Sequence, residues 1–287
     1  MTNTICFHHN DPDGCASGAI VRYALNKDVL LIESDYDETP IPWEKVEQAE
    51  RVIVVDFSFP KEDMLRLADG RQFIWVDHHK SAMLEFEEIS KDWDGIRDIS
   101  EAACVLTWKY FFPEKPVPYA VVLIGDRDIW RWAEKDTGAF NESLYNQNHL
   151  ADNDALWLPL FENDKETLGK MIKEGAWLRE ISLRRVDGLM GARSFEVQFE
   201  NRKTLVVNAS SSGDIGNYGR MRGYEIVYCY ADEMLPNGLS TKVTLYSDKV
   251  DVSVIAKKYG GGGHAGAAGF SFPRGATPFP PDSEVNL

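Results

Sequence analysis

Short apolar runs alternate with helical patterns through the first half of the chain. Residues 4–8 read as a strand, 16–26 as a helix and 29–33 as another strand. Residues 51–56 (RVIVVD) and 72–77 (QFIWVD) are two further strands, each ending in an aspartate, with a helix expected over 61–68 between them. Residues 101–111 fit a helix, and 120–126 (AVVLIGD) fit either a buried helix or a strand. Apolar strands separated by helices predict βαβ units around a parallel sheet. Ligands in such sheets gather at the carboxyl ends of the strands. Asp56 and Asp77 sit where a strand pattern runs out, and Asp126 ends an apolar run in the same way.

Residues 141–191 are polar and mostly helical, most clearly over 165–183, and read as a connector. From Arg193 onward the pattern turns to strand-like alternation, over 194–199, 203–207, 224–230 and 242–246. Residues 252–259 look helical and run into Gly260-Gly261-Gly262-Gly263-His264. The expected architecture is α/β. A parallel-sheet domain spans 1–140, a helical connector 141–191, a smaller mixed α/β domain 192–272 and a Pro-rich loose tail 273–287, with a domain boundary near 185–192. The length of 287 residues suits about two domains.

Composition narrows the function. Hydrophobic residues make up 44% and charged residues 27%, as a packed globular chain requires. Lys plus Arg is 31 against 46 Asp plus Glu, a net charge of −15. Such a surface repels long phosphate backbones, which disfavours a duplex-binding protein but leaves a small nucleotide substrate open. No run approaches the roughly 18 apolar residues that span a bilayer. The N-terminus lacks the basic-then-apolar order of a signal peptide. Cys6, Cys15, Cys104 and Cys229 are scattered and read as free buried thiols in a reducing cytoplasm.

The densest chemistry is His8-His9-Asn10-Asp11-Pro12-Asp13-Gly14, directly after the first strand. Two carboxylates and an imidazole so close together repel or desolvate one another unless cations hold them, although Asp, Pro and Gly are also ordinary turn formers. Asp77-His78-His79 stands at another strand end. A lone histidine pair is usually surface decoration, and an aspartate after a Val-rich strand, as at Asp56, is often a helix cap. Gly125-Asp126-Arg127-Asp128 closes a further apolar run. Together these groups fall on one expected edge of one sheet. Asp11, Asp13, Asp56 and Asp126 would bring four negative charges, matched by two divalent cations about 3.5–4 Å apart. Mixed carboxylate and imidazole donors suit Mn²⁺, with Mg²⁺ or Co²⁺ possible, and the lack of Cys donors disfavours structural zinc.

On these motifs the sequence resembles the DHH phosphoesterase superfamily, in its DHH–DHHA1 subgroup of oligonucleotide phosphodiesterases. Asp77-His78-His79 stands as in the family, and His9-Asn10-Asp11-Pro12-Asp13-Gly14 matches H-x-D-x-D-G. Asp56 matches the lone aspartate of the second motif and Asp126 the aspartate of the fourth. Residues 251–270 are similar to the family's GGGH motif. The resemblance implies that His9 and Asp11 hold one metal, that Asp13, His78 and Asp126 hold the other, and that Asp56 bridges them. In another register, H-x-x-x-D-x-D, Asp13 takes the first role and Cys15 falls where the second aspartate belongs, so the assignment of Asp11 and Asp13 stays open. Asp77 would orient a histidine, and His79 would face the phosphate or the leaving oxygen.

Gly261, Gly262, Gly263 and His264 would bind substrate phosphate through close backbone approach. Many DHHA1 domains carry an arginine in the strand before this motif. Here Tyr246 stands in that stretch, a candidate for base stacking, and Arg220 is a candidate for the missing charge. The activity so implied is two-metal hydrolysis of short oligonucleotides or linear dinucleotides. A nucleotide 3′-phosphatase or a polyphosphatase is the enzymatic alternative, and a non-catalytic scaffold is the alternative from another class. No long duplex and no membrane is expected as a partner, and oligomerisation is left open.

Overall fold

A computed structural model describes residues 3–35, 40–211, 213–235 and 238–286. The chain packs as two compact units, Met1–Leu178 and Arg179–Leu287.

The first unit begins with β1 (Thr4–His9), α1 (Pro12–Ala24), β2 (Leu30–Ser34), α2 (Trp43–Val46), β3 (Arg51–Val55), α3 (Lys61–Ala68), β4 (Gln72–Val76) and α4 (Lys80–Phe86). It continues with α5 (Ala103–Phe111), α6 (Tyr119–Asp128), α7 (Thr137–Tyr145), α8 (Asp154–Phe161) and α9 (Lys165–Arg193). The four strands form an all-parallel sheet in the order β2-β1-β3-β4. Both faces of β3 and β4 are apolar because both faces are covered. Val52, Val54, Phe73 and Trp75 pack with Met64, Leu67 and Phe86 on one side. Ile53, Val55, Ile74 and Val76 pack with Val21 and Leu106 on the other. A third cluster joins α1, α5, α6, α7 and α8 around Trp108, Leu123, Phe140 and Trp157.

The segment at 120–126, open between helix and strand in the sequence, is the helix α6. Helix α8 and the C-terminal half of α7, expected in a connector, contribute Leu144, Leu156 and Trp157 to the core of the first unit. The expected boundary lay at 185–192, whereas the compact units divide inside α9, after Leu178.

The second unit holds β5 (Ser194–Phe199), β6 (Arg202–Asn208), α10 (Gly213–Met221), β7 (Ile226–Leu235), β8 (Gly238–Tyr246), α11 (Val252–Lys258), β9 (Gly262–Gly263), β10 (Ala267–Pro273) and β11 (Val285–Asn286). Its sheet runs β11-β5-β6-β7-β8-β10-β9, antiparallel except for β6 beside β7. Phe199, Tyr228, Leu245 and Phe270 centre its core. Residues 273–286 are not the loose tail expected from their prolines. Phe279 is buried in this core, Tyr228 Oη donates to the Pro278 carbonyl at 2.6 Å, and β11 pairs with β5.

All four cysteines are free and buried, as expected. Among the described residues no helix is long and apolar enough to cross a membrane.

Candidate metal centre

Three parallel strands deliver aspartates to one sheet edge. Asp11 follows β1, Asp56 follows β3 and Asp77 follows β4. Asp11 caps α1, its Oδ1 accepting from Gly14 N at 2.9 Å, and Pro12 occupies the first helical position. The chain therefore leaves β1 and enters α1 in a single tight turn. Gly14 makes that possible, because a Cβ there would lie 2.4 Å from the His9 carbonyl oxygen. The turn carries Asp13, whose two oxygens accept from Ala103 N and Cys104 N at 2.8 Å each. Those N–H groups open α5, so a helix N-terminus fixes the orientation of this carboxylate.

Asp56 adopts φ 55°, the left-handed region that aspartate tolerates better than most residues. Its backbone N–H donates to the Val76 carbonyl at 2.9 Å, which locks the turn to β4. Neither of its carboxylate oxygens accepts a hydrogen bond, although Asp56 is 1% exposed. His78 Nε2 lies 3.2 Å from Asp56 Oδ1, 3.6 Å from Asp13 Oδ2 and 3.4 Å from Asp128 Oδ2. His9 Nδ1 lies 3.3 Å from Asp11 Oδ2 and 3.9 Å from Asp56 Oδ2. Asp77 Oδ1 accepts from the His79 ring at 2.7 Å and from the backbone N–H of His78 at 2.8 Å. Asp77 thus holds the histidine pair at the strand end, while its Oδ2 is buried without a hydrogen bond.

Electrostatics follow from this crowding. Burial, reinforced by the charges of Asp13, Asp11, Asp128 and Asp77, pushes the Asp56 carboxyl well above its ordinary range. Burial and the same neighbours, Asp13 and Asp11, raise Asp128. Burial lowers His78. Burial would also lower His79, but the charge and hydrogen bond of Asp77 outweigh it and raise that imidazole. For Asp11, burial acts upward and the hydrogen bond and charge of His9 outweigh it, leaving the carboxyl low.

One expected ligand is elsewhere. Asp126 is buried, but Oδ1 accepts from Ala133 N at 2.8 Å, and Oδ2 accepts from Glu134 N at 3.1 Å and from the Thr137 hydroxyl. It organises the loop after α6 and does not face the histidines. Asp128 is the residue of this stretch that lies beside His78, with Oδ2 3.4 Å from Nε2. The reason is helical geometry: residues two apart lie on nearly opposite faces, so only one of the pair can point at the cluster. With 120–126 open between helix and strand, the sequence offers Asp126 only as the end of an apolar run and does not show which of the two aspartates faces the cluster. A second residue the sequence reading passed over is Asp35, which closes β2. Its Oδ1 is 3.7 Å from His9 Nε2, and its Oδ2 accepts from the Asn10 amide at 3.0 Å.

The donor set fits divalent cations. His9, Asp11 and Asp56 bring donor atoms within 4.8 Å of one another, as do Asp13, Asp56 and His78, and Asp56, Asp77 and His79. Asp56 belongs to all three groups. Buried carboxylate oxygens without donors, on Asp56, Asp77 and Asp128, are costly unless a cation meets them.

The remaining expected residues lie in the second unit. The glycine run is structured: β9 pairs with β10, with Gly262 opposite Gly269 and Gly263 opposite Ala268. Gly263 has φ 132°, and a Cβ on Gly261 would meet the Gly269 carbonyl oxygen at 2.0 Å. His264 closes a tight turn, its backbone N–H donating to the Ala267 carbonyl at 2.8 Å. Tyr246 is 7% exposed, so it offers no open ring face for stacking a base. The Arg220 guanidinium is engaged by Asn217 Oδ1 on its own helix, at 2.8 and 3.2 Å.

Comparison with known proteins places this geometry. No family model matches the chain. An uncharacterized protein of Acanthamoeba polyphaga mimivirus is 28% identical over 305 residues, covering 97% of this chain and 70% of that protein. The oligoribonuclease NrnB of Bacillus subtilis (strain 168) is 22% identical over 291 residues, covering 92% of this chain and 72% of NrnB. Among solved structures, the DHH domain of a member of the s1p family of ribosomal proteins superposes with TM-score 0.59 at 15% identity, covering 93% of this chain and 82% of that one. A pGpG-specific phosphodiesterase from Vibrio superposes with TM-score 0.52 at 12% identity, covering 94% and 93%. The chain therefore has the two-part α/β fold of these solved structures, one of them a DHH domain.

Proposed function

We propose that this chain is a two-metal-dependent phosphodiesterase acting on short oligonucleotides or linear dinucleotides. The observation that carries the reading is Asp56, buried, turned into the cluster by a left-handed backbone, and common to three potential donor groups while accepting no hydrogen bond. In this reading His9 and Asp11 would hold one cation, Asp13, His78 and Asp128 would hold the other, and Asp56 would serve both. Mn²⁺ suits the mixed oxygen and imidazole donors, with Mg²⁺ or Co²⁺ as substitutes. Divalent cations held there would neutralise phosphoryl charge and make a water acidic enough to attack near neutral pH.

The chain's own groups do the rest. The N-terminus of α5 holds Asp13 in one orientation, and Asp77 holds the His79 imidazole by Nδ1. The charge and hydrogen bond of Asp77 raise the imidazole so held, which would serve to protonate the leaving oxygen. Gly261, Gly262, Gly263 and His264 remain proposed contacts to a substrate phosphate. The names of the two functionally described relatives, an oligoribonuclease and a pGpG phosphodiesterase, support a short nucleotide substrate. The net charge of −15 argues the same way against long duplexes. The intact donor set argues against a non-catalytic scaffold. Four buried free thiols agree with a cytoplasmic setting.

The test is to incubate 5′-labelled and 3′-labelled di- to decanucleotides with and without Mn²⁺ and resolve the products. Mn²⁺-dependent cleavage concentrated on the shortest substrates is expected. Release of phosphate alone, or no cleavage, would overturn the reading.

A further inference from the structure

The last turn of α6 carries a cation to the rim of the acidic cluster. Arg127 directly precedes Asp128, and its charge acts on that carboxyl. Arginine beside carboxylates ordinarily forms a bidentate ion pair. Arg127 forms none among the described residues. Its guanidinium is turned onto Tyr145 at the end of α7, with the carbon 4.4 Å from the ring centroid and Nη1 donating to Tyr145 Oη at 2.5 Å. The His149 ring packs edge-on against Tyr145 at 5.9 Å. The tyrosine is 45% exposed, so the assembly borders solvent. Burial and the charges of Asp11 and Asp128 act upward on its phenol, which places it within the field of the cluster.

The ring contact and the Nη1–H bond hold the guanidinium against Tyr145. Its Nε and Nη2 donors are left without a bond among the described residues. A planar fork of donors, pre-oriented at the solvent edge of a carboxylate cluster yet withheld from those carboxylates, matches an incoming oxyanion.

We propose that Arg127 is a phosphate-binding residue of this centre and that Tyr145 is its positioning residue. The ligand class is the phosphodiester or terminal phosphate of a nucleotide, gripped through its non-bridging oxygens. This inference rests on the phosphodiesterase reading above. The competing role is a plain strut between α6 and α7.

The experiment measures steady-state kinetics on a 5′-phosphorylated dinucleotide with Mn²⁺, inhibition by adenosine monophosphate, Mn²⁺ titration by calorimetry and thermal unfolding. It uses the wild type, Arg127→Gln, Arg127→Lys and Tyr145→Phe. Arg127→Gln is expected to raise KM by about tenfold or more, the size of one lost charged hydrogen bond, with kcat changed less. The inhibition constant for the monophosphate rises in step, and Mn²⁺ stoichiometry stays at the wild-type value. Arg127→Lys recovers only part of the loss, because an ammonium lacks the fork and the stacking plane. Tyr145→Phe keeps the ring, removes the acceptor and gives a smaller rise in KM. An unchanged KM in Arg127→Gln with a lowered melting temperature would assign the pair to a strut and overturn the inference. A wild type that neither binds Mn²⁺ nor turns over would overturn the phosphodiesterase reading itself.

Discussion

Asp126 and Asp128 are two positions apart on one helix and are employed in opposite ways. Asp126 accepts from two backbone N–H groups and a hydroxyl, whereas Asp128 leaves Oδ2 buried among other carboxylates. Asp126→Asn is expected to cost about 1–3 kcal/mol of stability, because an amide N–H₂ would face donors. Its Mn²⁺ affinity stays near wild type. Asp128→Asn is expected to lose Mn²⁺ affinity without losing stability in the metal-free protein. Thermal unfolding and metal titration of both variants separate the two roles.

Asp56 gives a pH test. Its folded carboxyl is raised above its unfolded value of about 3.9. Its contribution to stability is therefore complete below that pH and is lost as pH rises through the raised value. In metal-free protein Asp56→Asn is expected to melt higher than wild type at pH 8, with the gain fading toward pH 4. Equal melting temperatures at pH 8 would mean that Asp56 carries no penalty. The sequence made Asp56, Asp77 and both histidines of the pair legible, because each follows an apolar strand. It did not distinguish Asp126 from Asp128, since that choice depends on whether 120–128 is a helix, and seven apolar-rich residues fit either element.

At the scale of elements, the β1–α1 turn carries the most chemistry in the fewest residues. Asp11 caps the helix, Asp13 is seized by α5, and Gly14 lets the helix start against the backbone of His9. Gly14→Ala forces His9 or α1 to shift. It is expected to cost about 1–3 kcal/mol, as overpacking does, and to weaken Mn²⁺ binding together with stability. Unfolding and titration of the variant check both effects.

The parallel strands were readable because doubly covered strands are continuous apolar runs bounded by turn residues. Strand β10 (AAGFSFP) was not, because its alanines and glycine give no alternation and its role is to pair between β8 and β9. The last residues were misread because proline suggests a loop, while Phe279 and the short β11 tie them to the second core. The long α9 outran its clearest stretch, since its C-terminal half is rich in exposed charged and small residues that carry little periodic signal.

For the whole molecule, net charge and the local cluster point the same way. A chain of charge −15 with Asp11, Asp13, Asp56, Asp77 and Asp128 gathered in one cluster repels polyanions until cations enter. Long duplex DNA is expected to show no retardation by this protein at about 50 mM salt, where a basic binding face would bind most strongly. The fold-level reading, a parallel-sheet unit followed by a mixed one, was legible from the switch in hydrophobic period near Arg193. The packing division after Leu178 was not, because α9 runs through it without a break.

The central claim is that this cluster is a divalent-metal centre with Asp128 among its ligands. Calorimetric titration of Mn²⁺ into wild type and Asp128→Asn at one pH tests it most directly. Saturable binding of two ions by wild type, with loss or strong weakening of one of them in the variant, is the predicted result. No binding by wild type, or an identical isotherm for the variant, would contradict it.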